Sequence, residues 1–153
     1  MKMFNKRARF EYELMGEGIE AGISLKGAEA KSIRENRGDI SRSSVRILNG
    51  EAYLINANIP ATGIQKYDPT RTRKLLLHKR EIISILTKAK QQKLQIVPVR
   101  VYNKRSLRPN GRKSRLIKIY LELGKSKRKF EKKESIKLKD VQRDIETELK
   151  NSV

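Results

Sequence analysis

The chain has no cysteine, no tryptophan, one histidine and four prolines, and aromatic residues fill only 5% of its 153 positions. Without cysteine there is no disulfide framework and no thiolate metal centre, and one histidine is too few for a histidine-based metal site. No run approaches the ~20 apolar residues that carry a helix across a bilayer. The N-terminus, MKMFNKRARF, lacks the apolar core of a signal peptide. The expectation is a cytoplasmic chain with no membrane partner, no cofactor and no metal. Sparse aromatics also supply few faces for stacking single-stranded bases, so Tyr12, Tyr53, Tyr67, Tyr102 and Tyr120 read as core or strand-surface residues. Catalytic signatures are missing too: there is no GxGxxG, P-loop, GxSxG or HExxH. His78 lies between Leu77 and Lys79 with no local acid to orient it, and reads as a helix-start residue rather than a general base. Asp68 and Glu81, in so basic a field, read as ionised and salt-bridged rather than as a proton-sharing pair.

What the chain has is positive charge. Lys and Arg number 37 against 17 Asp and Glu, for a net charge of +20. That excess opposes compaction unless an anionic partner neutralises it. Hydrophobic residues are 37% and charged residues 35%, enough for one modest core. Three cationic stretches stand apart, at 71–80, 100–118 and 125–133, and their separation favours a folded polyanion over one local ion pair. Few aromatics with many cations point to folded RNA, recognised through shape, phosphates and 2′-hydroxyls.

Residues 1–124 read mainly as strands. Glu11–Met15 and Ile19–Leu25 are short strands parted by Gly16 and Gly18. Ser44–Ala57 is a hairpin about Asn49-Gly50, a pair suited to a type I′ turn. Gln95–Tyr102 and Leu116–Leu123 form a further pair, with Ile117, Ile119, Leu121 and Leu123 on one side and Lys118, Tyr120 and Glu122 on the other. Apolar groups on both faces of the hairpin suggest a small closed barrel. Between the last two strands, NKRSLRPNGRKSR (103–115) holds six cations and no acid, and reads as an exposed hairpin tip. Two helices are expected. Gly27–Arg37 has Ala30 and Ile33 inward and Gly38 as its stop; Lys79–Gln92 has Ile82, Ile85, Leu86 and Ala89 on one face. After Gly124 the composition changes: residues 125–153 carry ten Lys or Arg, six acids, no Gly and no Pro. Leu138, Val141, Ile145 and Leu149 make a stripe too thin to dock firmly, so this tail is expected to be disordered when free and helical when bound.

DPTRTRKLLLHKREI (68–82) is the densest mixture of charge and apolar bulk, with Arg71, Arg73, Lys74, Lys79 and Arg80 around Leu75-Leu76-Leu77. Together with NKRARFEYEL (5–14), EAGISLKGAEAKSIRENRGDISRSSVRILNGEAYLINANI (20–59) and the basic tail, it closely resembles the SsrA-binding protein family. This is small protein B, the partner of transfer-messenger RNA. The blocks run in the family's order over nearly the whole chain. The resemblance implies a small antiparallel barrel of oligonucleotide-binding type with two to three flanking helices. It implies a non-catalytic monomer that binds the tRNA-like domain of transfer-messenger RNA. With elongation factor Tu, such a protein carries the charged RNA to ribosomes stalled on truncated mRNA. There the tail occupies the empty mRNA channel near the decoding region, and translation resumes on the RNA's own frame, tagging the nascent chain for degradation.

The resemblance also assigns residues. Glu29, in GAEAKSIR, matches an acidic RNA-contact position. Read from the residues alone, it is equally a helix N-terminal acid facing the dipole. Leu76 and His78 match RNA-facing positions, Arg73 and Lys74 are expected phosphate ligands, and Lys118 matches a family lysine on the polar side of its strand. In KRKFEKK, the residues Lys127, Arg128, Lys129, Phe130, Lys132 and Lys133 are expected to meet the ribosome. Departures from the family pattern are Ser126 for a glycine, Glu131 for an aspartate, Lys133 for an arginine, Val141 for a frequent tryptophan, and the length of 103–115. That long segment is either a further phosphate contact or a solvated loop. Two other functions stay open: a general ribosomal or tRNA-binding barrel, and an RNA-processing enzyme dependent on His78.

Overall fold

The computed structural model describes residues 2–151. Seven strands form one antiparallel sheet in the order β1-β6-β7-β2-β5-β4-β3. They are β1 (Lys2–Phe4), β2 (Tyr12–Ile23), β3 (Ser44–Leu48), β4 (Glu51–Ile55), β5 (Arg73–Leu76), β6 (Gln95–Leu107) and β7 (Lys113–Ser126). The sheet curls until β3, at one edge, packs against β6 near the other. The helices are α1 (Ala8–Glu11), α2 (Gly27–Arg34), α3 (Lys79–Gln91) and α4 (Lys129–Asn151). The mainly β architecture with flanking helices is the expected one.

The hairpin is where the sequence places it. Asn49 and Gly50 both have positive φ, 51° and 73°, as a type I′ turn requires. Val45 and Leu54 then face each other across the register and are both buried. On β7, Ile119, Leu121 and Leu123 point inward, and with Ala21, Ile23, Ile33, Ile40, Leu75 and Val101 they make the core. Ile85 and Ala89 attach α3 to it through Leu123, and Ile82 is buried on the same helical face.

Three differences from the sequence reading have simple causes. Helix α2 ends at Arg34, because Asn36 takes the left-handed position (φ 56°) and Arg37 N–H bonds back to the Ser32 carbonyl. Gly38 is therefore not the stop. The inward stripe of α2 is Glu29, Ser32 and Ile33 rather than Ala30 and Ile33. Strand β5 was not expected, since four residues bounded by charge carry little periodic signal; its pairing with both β2 and β4 creates it.

The tail is a continuous 23-residue helix, none of whose residues is buried. The root is attached more firmly than a boundary at 124 implies. Strand β7 runs on to Ser126, which pairs with Tyr12, and Lys127 N–H bonds to the Glu11 carbonyl at 2.9 Å.

Candidate nucleic-acid interface

The segment 67–78 is built around one buried carboxylate. Glu29, the third residue of α2, accepts a hydrogen bond from the Lys26 amide at 2.7 Å and so caps its own helix. The same group accepts from Arg71 Nε at 2.7 Å, from Arg73 Nε at 3.0 Å and from the Tyr67 hydroxyl. Arg73 is fully buried and uses all five guanidinium donors. Beyond Glu29 they reach the Ala57, Arg71 and Pro69 carbonyls and the Tyr67 oxygen, at 2.8–3.0 Å. Burial alone would raise the Glu29 carboxyl. Hydrogen bonds from Arg71, Tyr67 and the Lys26 amide, with the charge of Arg73, outweigh it and bring the pKa to about 2.

Glu29 and Arg73, expected from the resemblance as RNA contacts, are buried in this structure and bonded to protein groups. Both lie at 0% exposure, with every strong hydrogen-bonding direction already taken inside the protein. They clamp the β4–β5 connection onto α2 and so set where β5 emerges. A period-two reading would have found Arg73, two residues before buried Leu75 on the same strand face. Spacing would likewise have found Glu29, one helical turn before Ile33.

The other four core-domain candidates do reach the surface. Alternation along β5 buries Leu75 and leaves Leu76 57% exposed. Gly22 is opposite Leu76 on one side and Lys118 on the other, so the three form one lateral row across β5, β2 and β7. Having no side chain, Gly22 lets Leu76 lean over it beside half-buried Lys118; a Cβ there would lie 3.1 Å from the Leu76 Cβ and 3.3 Å from its Cδ1. Exposed His78 is the N-cap of α3, its amide donating to Glu81 at 2.7 Å. Lys74 is exposed and donates to Glu51 at 2.6 Å, which holds the lysine above its ordinary pKa. Asp68 instead closes the local turn through Thr70, whose hydroxyl and amide bonds hold its carboxyl low.

Lys74, Leu76, His78 and Lys118 line one open groove of about 880 Å³, with Ile82, Ile83 and the hairpin turn at Asn49-Gly50 on its walls. A second hollow of about 270 Å³ begins on the other side of Leu76 and Lys118, bordered by Arg34 and Arg115. An apolar ridge with flanking cations suits a base or ribose edge between phosphates. Four of the five tyrosines are engaged within the protein: Tyr53 bonds Glu51, Tyr67 bonds Glu29, and Tyr102 and Tyr120 flank Arg100 at 5.4 and 4.9 Å.

The tail candidates are a separate group. Lys127 Nζ donates to the Arg9 carbonyl at 2.9 Å, and the Arg128 amide donates to Glu131 at the start of α4. Lys129, Lys132 and Lys133 lie in the first turns of α4 with 68%-exposed Phe130. They lie outside the two hollows that Leu76 and Lys118 border.

Similarity to known proteins follows the same outline. The SsrA-binding protein of Persephonella marina is 44% identical over 153 residues, covering 97% of this chain and 93% of its own length. That of Thermosipho africanus is 39% identical over 152 residues, covering 97% and 95%. A chain solved in the work "tmRNA-SmpB: a journey to the center of the bacterial ribosome" superposes with a TM-score of 0.63 at 38% identity. It covers 88% of this chain and 94% of its own. The family model described as SmpB protein matches residues 2–151, and the chain belongs to that family.

Proposed function

We propose that this protein is the RNA-binding factor of trans-translation: it binds the tRNA-like domain of transfer-messenger RNA and brings it to stalled ribosomes in the cytoplasm. The observation that carries the docking site is the row Leu76–Gly22–Lys118, an exposed apolar side chain and a cation held a fixed distance apart beside the N-cap of α3. Lys74 and His78 extend it along the groove, and the buried Glu29–Arg73 pair positions it without touching RNA. The tail from Lys127 to Lys133 serves the ribosome, entering the empty mRNA channel, while elongation factor Tu delivers the charged complex. The protein supplies binding and placement, not catalysis, so RNA incubated with it alone stays intact.

Competition binding tests this. The tRNA-like domain should displace labelled transfer-messenger RNA far better than ordinary elongator tRNA at equal salt; equal competition would leave only a general tRNA-binding barrel. Leu76→Ala and Lys118→Ala should each weaken binding by about 1–3 kcal/mol, roughly five- to 150-fold, while thermal melting is retained. Unchanged affinity in both would remove the groove as the site.

A further inference from the structure

We propose that the β6–β7 ribbon carries a second phosphate clamp, in which Arg105 and Arg115 grip the backbone of an RNA double helix beyond the docking groove. The proposal rests on the reading that the ligand is structured RNA. In the ribbon, Arg105 stands directly opposite Arg115, flanked by the pairs Lys104↔Leu116 and Ser106↔Ser114, and then Leu107↔Lys113. Directly opposed side chains on antiparallel strands have Cβ atoms about 4.5–5.5 Å apart, and like charges there weaken the ladder. Neither arginine has a carboxylate partner among the described residues. Glu20, near the root of the ribbon, is already occupied by Lys104 at 2.8 Å and by Tyr102.

The face on which this pair lies is informative. Alternation puts Arg105, Arg115 and Lys113 on the side that, within the body, carries Val101 and Ile119, both buried. Past Asn103 and Ile117 that same face leaves the core and becomes cationic and exposed. The tip adds Arg108 and Arg112 in an ordered turn, with the Arg108 amide bonded to the Arg112 carbonyl at 2.9 Å. A ribbon that only prolonged the hairpin would gain from Thr pairs or opposite charges; two opposed guanidiniums gain only when an anion lies between them. Planar forks that bind bidentately suit phosphate.

Continuity with the docking face selects RNA over an acidic protein. Arg115 and Leu116 border the same hollow as Leu76 and Lys118. Arg115 lies on the opposite sheet face from Lys118, and because β2 ends at Ile23 a ligand leaving the docking row reaches the clamp around the uncovered edge of β7. Five paired positions at ~3.4 Å each give the ribbon a reach of about 17 Å. That is enough to lie along the phosphate-lined shallow groove of an A-form helix.

The test uses the whole protein and transfer-messenger RNA, with R105T, R115T and the double variant titrated over a range of salt. A clamp predicts that each single variant loses most of what the double variant loses, about tenfold in affinity. The log–log salt slope should fall by about one unit, the signature of one lost phosphate. The melting temperature of free R105T should hold or rise, since the like-charge pair is gone. A fall in melting temperature would make the pair structural and overturn the clamp. Normal binding by the double variant, beside weakened binding by K118A, overturns the clamp alone. Normal binding by both overturns the docking reading with it.

Discussion

Glu29→Gln should lower the melting temperature by on the order of 10 °C and take RNA affinity down with it. The substitution keeps shape but removes the charge opposite Arg73, whose guanidinium is fully buried and bonded to Glu29. Breaking a buried pair from one side typically costs about 3–5 kcal/mol, because the remaining charge has no water to return to. The consequence reaches the docking face, since Arg71 and Arg73 tie residues 67–73 to α2 through this carboxylate. A direct RNA contact would behave differently: affinity would fall with melting unchanged. Measuring both separates the positioning role from the contact role.

The same carboxylate sets an acid limit. Its folded pKa of about 2 lies below the ordinary 4.5, so its stabilisation is fully present above the ordinary value. It is lost as pH falls from about 4.5 towards 2. The shift corresponds to about 3 kcal/mol. Wild-type stability in urea should therefore fall more steeply between pH 5 and 2.5 than that of Glu29→Gln. Parallel curves would show that the pair contributes nothing to acid sensitivity.

Truncation after Arg128 should abolish tagging on stalled ribosomes while leaving the fold and RNA affinity within about 0.5 kcal/mol of wild type. Helix α4 buries none of its residues, and its apolar stripe of Leu138, Val141, Ile145 and Leu149 is exposed. Only the root is integrated, through β7 and the bonds of Lys127 to Glu11 and Arg9. The position of the cut matters. Truncation after Gly124 removes Lys125 and Ser126, which pair with Glu13 and Tyr12, and should destabilise the body as well. A helix without tertiary packing is marginal in water, so amides of residues 135–150 should exchange rapidly in the free protein. Retained tagging by the Arg128 truncation would place ribosome recognition in the body instead.

Much of this was legible before any coordinates. The Asn49-Gly50 turn, the inward side of β7 and the face of α3 depend on local φ preferences and on periods of 2 and 3.6, which nearby residues carry by themselves. The long ribbon was visible as a cationic, acid-free segment, but its opposed arginines were not. Register is set by pairing along the whole of β6 and β7, and a shift of one residue would separate Arg105 from Arg115.

The burial of the ionic cluster was not legible in the sequence for a related reason. By type, Glu29 and Arg73 belong at a surface, because burying an unpaired charge is prohibitive. Only when α2 and β5, 44 residues apart in their contact, are brought together does each supply what the other needs. The sequence by itself determined the charge, the family, the hairpins and the amphipathic faces, all of which rest on local or compositional physics. The tertiary structure decided which of the motif's residues reach the surface and which are buried among protein partners. Pairing across the sheet puts Leu76 and Lys118 outward beside Gly22, and turns Arg73 inward to a carboxylate that can satisfy it.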